Sequence, residues 1–258
     1  MAVRRHIVLS ALVFLASATA VYADPSLAPT GVLRAAYLAS NPAQAVRDGA
    51  SGEIRGVAKD MVVDLGRRIE RKTVITPSDN PQTVIDAVAK GEADIGFVAY
   101  APSRTGTVEF SQTYMLVRQT FIVKNESPLQ SVNDIDRTGL RISGGKGDSI
   151  TLFLGRTLKQ ATLVQTDGTP ADTKRKFDAN EIDAFGANRQ RLTTMLRTMP
   201  GYRLLPDNVF DVPQTIVVAK GNLAALAVVN RMIDETRSSG FLKAAMDQSG
   251  IVGIDVAP

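Results

Sequence analysis

"KGEADIGFVAY", Lys90 to Tyr100, and "DANEIDAFGAN", Asp178 to Asn188, decide the fold. Each leaves a helical segment through an acidic turn and enters a short strand that is apolar on both faces. A strand of that kind belongs in a parallel sheet covered by helices on two sides. Working outward from the first, "PQTVIDAVAKG" sets Val84, Ile85 and Val88 on one helical face, with Pro81 at its head and Gly91 as its stop. "VLRAAYL" and "TVITPS" read as strands, and "KDMVVDLGRRIE" carries Met61, Val62, Leu65 and Ile69 at helical spacing. Together they predict a β-α-β-α-β unit.

The second stretch closes a similar unit. "LRIS" and "TLVQT" are strands, "DSITLFLGRTLKQ" buries Ile150, Phe153, Leu154 and Leu158, and "PADTKRKFDAN" is a helix headed by Pro170. Between the units, "TFIVKNESPLQSVNDIDRTG" (120–139) reads as a connector. An extended return, "VFDVPQTIVVAKG" (209–221), precedes two closing helices. Two equivalent α/β lobes are expected, the return re-entering the first and two crossing strands forming a hinge. In open α/β sheets ligands gather at the carboxyl ends of strands. Arg104 and Asn188 each lie just beyond such an end.

Composition narrows the chemistry. There is no cysteine, and the one histidine, His6, lies in the leader. The remaining chain therefore cannot build a Ser-His-Asp triad, a Cys-His dyad, a disulfide or an ordinary zinc site. The basic start "MAVRRH", the short apolar run to Val21 and the small residues before Asp24 form a secretory signal peptide, expected over 1–23. A membrane anchor would need about 20 uninterrupted apolar residues. Removing the leader's two arginines lowers the formal charge from +4 to +2. The other basic residues are scattered, which argues against a nucleic-acid partner.

The signal peptide and four blocks in order, "GEIRGVAKDMVVDLGRRIE", "AVAKGEADIGFVA", "SRTGTVEFSQTY" and "SSGFLKAAM", together resemble the family-3 extracellular solute-binding proteins, periplasmic receptors of amino-acid-type ABC transporters. The resemblance covers the chain beyond the leader. It implies the two-lobed periplasmic-binding-protein fold, each lobe a mostly parallel sheet flanked by helices, with a ligand cleft between. Lobe I is expected over 24–118 and 216–258, and lobe II, with hinge strands, over 119–215. The implied protein is a periplasmic monomer that captures a small anionic solute, an amino acid or related organic acid. It passes that solute to an ABC permease in the inner membrane, with no catalysis and no cofactor. Two other readings use the same scaffold: a cyclohexadienyl-dehydratase-like enzyme, and a soluble sensory binding protein.

The resemblance also assigns roles. Arg104, in "APSRTGTVEF", is implied to grip a ligand carboxylate, for which the planar guanidinium fork is suited. The alternative is a surface arginine paired with Glu109. Gly147, Asp148 and Ser149 match a turn whose amides and hydroxyls meet that carboxylate, although Asp and Ser are also ordinary N-caps. Asn188 stands where an aspartate in amino-acid-binding members takes the ligand ammonium, and an amide supplies no negative charge. At the first lobe's opening Asn41 is a ligand candidate or a turn residue beside Pro42, with Tyr37 and Gln44 close by. Tyr100 is a pocket wall or a core aromatic. Gln214, in the returning strand, is a weaker candidate.

Overall fold

The computed structural model describes residues 27–258, so the expected signal peptide, 1–23, lies outside the described residues. Strand β1 (Val32–Leu38) leads through a small hairpin, β2 (Val46–Arg47) and β3 (Ile54–Arg55), to helix α1 (Val57–Arg68). β4 (Lys72–Ser78) then pairs in parallel with β1. Helix α2 (Pro81–Ala89) starts where the Asn80 side chain accepts the Thr83 N–H, with Pro81 in the first turn, where no N–H is missed. β5 (Ile95–Ala99) runs parallel to β1 on its other side. This is the expected first unit, in strand order β4-β1-β5.

After a single 3-10 turn at Pro102–Arg104 come β6 (Val108–Phe110) and the ten-residue β7 (Met115–Lys124). The second unit is β8 (Arg141–Gly145), α3 (Ser149–Thr157), β9 (Thr162–Thr166), α4 (Pro170–Asp178) and β10 (Ala184–Asn188). Its strands are again parallel, in order β9-β8-β10. Then follow α5 (Arg189–Leu196), β11 (Tyr202–Leu204), β12 (Phe210–Ala219), α6 (Leu223–Ser238), α7 (Phe241–Ser249) and β13 (Ile254–Val256).

The reading of 120–139 as a connector is corrected at its start. Thr120–Lys124 is the second half of β7, where Gln119–Ile122 pair with β10 and Ile122–Lys124 with β11. Its near-continuous apolar run fits a strand covered on both faces, Phe121 and Val123 on one and Ile122 on the other, which periodicity alone does not separate from a buried helical segment. The first half of β7 pairs instead with β13, at Met115–Val117. β12 makes the opposite passage: it pairs with β7 over Phe210–Gln214 and with β5 over Gln214–Val217. Two antiparallel strands thus run from one lobe into the other, and Pro213 sits at the handover, where a lost ladder donor is best tolerated.

Each lobe is a three-layer stack. In lobe I, α1, α6 and α7 bury Met61, Leu65, Met232 and Leu242 against Leu33 and Phe97, while α2 packs Val84 and Val88 on Val98 and Val217. In lobe II, α3 sets Ile150 and Leu154 on Phe121, Ile142 and Ala184, and α4 and α5 set Phe177, Leu192 and Met195 on Ile122 and Phe185. Neighbours along one strand face opposite layers, as Phe97 and Val98 do.

Gly186, in the middle of β10, is required by this packing. A Cβ there would lie 2.7 Å from Phe121 Cε1 and 2.9 Å from Ile150 Cγ1. Gly186→Ala is expected to destabilise the protein by about 1–3 kcal/mol through overpacking, read as a lower urea midpoint. An unchanged midpoint would show that α3 is not seated tightly on β10.

Candidate functional site

The carboxyl ends of β1, β5, β8 and β10 meet in the crevice between the lobes, and each contributes a polar residue. Beyond β1 the chain turns at Asn41, whose Oδ1 accepts the Ala43 N–H at 3.2 Å. Gln44 folds back so that its Oε1 accepts the Leu38 N–H at 2.9 Å. Asn41 Nδ2 and Gln44 Nε2 both donate to Gln214 Oε1 on the crossing strand β12, at 3.2 and 3.1 Å. From lobe II, Asn188 Nδ2 donates to Asn41 Oδ1 at 2.9 Å, while its own Oδ1 caps α5 by accepting the Arg191 N–H at 2.7 Å. A chain of amides therefore spans the crevice, and Asn41, Gln44 and Gln214 are buried along it.

Arg104 ends the 3-10 turn beyond β5 and is only 9% exposed. Nη1 donates to the Ala99 carbonyl at 2.8 Å and Nη2 crosses to the Gly147 carbonyl of lobe II at 2.5 Å. Burial draws its pKa down and Asp148 draws it back up; arginine starts so high that it stays charged. The alternative partner is taken, because Glu109 pairs with Lys220 at 2.9 Å. Gly147 meets the site through its carbonyl, from a left-handed turn at φ +77°.

Asp148 occupies the N-cap position of α3, yet its side chain makes no capping bond. It turns to Arg191 Nη1 at 2.7 Å, and Arg191 also donates to the Gly168 carbonyl and lies over the Phe185 ring. Burial raises the Asp148 pKa above the usual aspartate range, against the pull of Arg191 and Arg104. Ser149, the next residue, also lines the cavity.

The enclosed cavity among these groups measures about 40 Å³, room for a few waters. Asp148 and Arg191 also line a chamber of about 280 Å³, and Arg104 also lines an outer mouth of about 740 Å³. Any solute the size of an amino acid needs the lobes to part before it enters.

Of the expected site residues, Arg104, Asn41, Asp148, Ser149 and Asn188 are brought together around the cavity, and Gly147 joins through Arg104. Tyr100 is not: the residue is 43% exposed, and its ring stands edge-on to Phe110 at 5.2 Å. Tyr37 is a buried core residue. Arg191 and Gln119 were missed. Gln119 carried a signal, a lone amide inside the apolar run of β7. Arg191 carried none, since its role depends on a partner 43 residues away. Among the described residues no cluster of His, Cys, Asp and Glu forms a metal site.

Known proteins resemble this chain in sequence and in fold. A glutamine-binding protein of Geobacillus stearothermophilus is 26% identical over 168 residues, covering 64% of this chain and 61% of that protein, so the chain matches less than two thirds of this relative's length. The ABC transporter glutamine-binding protein GlnH of Bacillus subtilis (strain 168) is 22% identical over 199 residues, 76% of this chain and 72% of that one. The crystal structure of the substrate binding protein of an amino acid ABC transporter superposes with a TM-score of 0.71 at 23% identity, covering 84% of this chain and 98% of that chain. That likeness shows the two-lobed periplasmic-binding fold. The family model described as bacterial extracellular solute-binding proteins, family 3, matches residues 33–249, and the chain belongs to that family.

Proposed function

We propose that this protein is exported to the periplasm by a cleaved signal peptide and there captures a small carboxylate-bearing solute, an amino acid or related organic acid. It delivers that solute, as a monomer, to an ABC transporter permease of the inner membrane. Lobe I comprises 24–118 and 216–258, and lobe II comprises 119–215 with the hinge strands.

One observation carries the reading: a buried guanidinium, Arg104, spans the crevice and rests on two carbonyl oxygens. A charge in that position calls for an anion. A solute carboxylate on Arg104 would be completed by Ser149 and the open first turn of α3, with Asn41 and Asn188 bordering it. Because these groups come from both lobes, the solute contacts all of them only when the lobes are closed. Binding therefore shifts the open–closed population toward closure about β7 and β12. A binder rather than an enzyme is favoured by the same geometry. The single carboxylate lining the enclosed cavity, Asp148, is held by Arg191, and the other polar groups there are Arg104, amides and serine hydroxyls, which supply it no acid–base partner.

A thermal-shift screen of small carboxylic acids, with and without amines, tests the reading. Saturable stabilisation by at least one acid is expected, without turnover of an arogenate-like substrate. Arg104→Ala is expected to weaken that binding about 100-fold or more while leaving the unliganded melting cooperative. Undiminished binding would refute the assignment of Arg104.

A pH dependence follows from Asp148. Its carboxyl holds a proton to higher pH than an ordinary aspartate. As pH falls through that raised value, a negative charge leaves the cavity and an anionic solute binds more tightly, until the solute's own carboxyl titrates. Asp148→Asn is expected to flatten this dependence in calorimetric titrations run upward from the ordinary aspartate range. A profile that keeps its slope in the variant would place the titrating group elsewhere.

A further inference from the structure

We propose that the solute is a monoanionic hydroxy- or oxo-carboxylic acid with no free α-ammonium group. This rests on the reading that Arg104 binds a carboxylate, and it names the class of acid.

The charges that line the enclosed cavity are Arg104, Arg191 and Asp148. Asp148 is committed to Arg191 at 2.7 Å, so the three sum to a single uncompensated positive charge, on Arg104. One carboxylate neutralises it. A zwitterion would neutralise Arg104 and then set an ammonium in the same enclosed space, facing a carboxylate that Arg191 already holds. A buried ammonium without its own counter-ion is costly.

Hydrogen bonding points the same way. An ammonium needs three acceptors, and the amide oxygens of Asn41, Gln44, Asn188 and Gln214 around the cavity each already accept at least one hydrogen bond. Gln214 Oε1 accepts from Asn41 and Gln44, and Asn41 Oδ1 accepts from Asn188 and the Ala43 N–H. Asn188 Oδ1 caps α5, and Gln44 Oε1 accepts from the Leu38 N–H. Three other N–H groups of the Arg104 guanidinium remain uncommitted, against Asp148 Oδ1 and Gln119 Oε1 on the acceptor side, with the Ser149 hydroxyl able to serve either way. Such a lining suits a solute rich in acceptors: a carboxylate with an adjacent hydroxyl or carbonyl oxygen.

The further acids near the crevice, Asp79, Asp167 and Asp86, line the chamber and the outer mouth rather than the cavity beside Arg104. Asp167 lines the outer mouth and its Oδ1 is engaged by Thr169, and Asp86 accepts from Gln82 at 2.8 Å. An α-ammonium is fixed within about 3 Å of its own carboxylate by bond lengths. With that carboxylate on Arg104 in the enclosed cavity, the ammonium stays in the cavity too.

The test is isothermal titration calorimetry of the leaderless chain with matched triples: L-alanine, L-lactate and pyruvate; L-leucine, 2-hydroxy-4-methylpentanoate and 4-methyl-2-oxopentanoate; L-phenylalanine, phenyllactate and phenylpyruvate. In each triple that binds, the hydroxy or oxo acid is expected to bind about tenfold or more tightly than the amino acid. If the amino acids bind more tightly and Arg104→Ala still abolishes binding, this inference is overturned while carboxylate capture stands. If no acid of any class binds, both are overturned. Asn188→Asp supplies an independent check, because aspartate retains the cap of α5 and adds the anion that an ammonium lacks. It is expected to shift the amino-to-hydroxy affinity ratio toward the amino acid by about tenfold or more, and an unchanged ratio would count against the charge argument.

Discussion

β7 and β12 lie side by side, antiparallel, from the pair Met115–Gln214 to the pair Gln119–Phe210, and every connection between the lobes' sheets passes through them. That pairing fixes what the crevice can do. Gln214 is the residue at which β12 leaves β7 for β5, and its Oε1 holds both Asn41 and Gln44. The amide floor of the site is therefore anchored in the hinge rather than in either lobe. A rotation of the lobes that twists these strands moves the floor with them.

Closure is also an electrostatic event. Arg104 is taken out of water, and a guanidinium in a low-dielectric setting must be paired or hydrogen-bonded. In this closed arrangement it has the carbonyls of Ala99 and Gly147. These are neutral, single-oxygen acceptors, whereas a carboxylate offers a guanidinium an opposite charge and two oxygens for a bidentate pair. On the proposed reading, a carboxylate arriving from solution would displace the Gly147 carbonyl and still keep Arg104 tied to the head of α3. The self-made contact holds the charge without giving it a counter-ion, which leaves the solute a reason to bind.

The two α/β units were legible because their strands and helices are local patterns: apolar runs of strand length, helical spacing, and Pro81 and Pro170 at helix heads. Arg104 and Asn188 were legible because each follows a strand's end by a few residues. What stayed hidden is non-local. Nothing near Glu109 announces Lys220, and nothing near Asp148 announces Arg191, yet these pairings decide which charges the site can spare. Tyr100 shows the complementary limit. It follows β5 directly, but on that side of the chain lie solvent and Phe110, and the sequence does not say which way a residue past a strand's end faces. The connector misreading has the same root, since Thr120–Lys124 is a strand only because β10 and β11 flank it.

The sheet order explains why the contacts across the crevice take the form they do. Read along the sheet, it runs β4-β1-β5, then β12-β7, then β10-β8-β9. Each lobe presents second, first and third strands of its unit, in mirrored sequence about the two crossing strands. The third strand of each lobe is therefore next to the hinge, and its carboxyl end faces the first strand of the other lobe. Arg104, beyond the third strand of lobe I, reaches Gly147, beyond the first strand of lobe II. Asn188, at the end of the third strand of lobe II, reaches Asn41, beyond the first strand of lobe I. The two bridges are topological equivalents with different chemistry, one cationic and one neutral. The repeated fold supplies two matching positions, and the polarity of the site comes from placing the charge in only one of them.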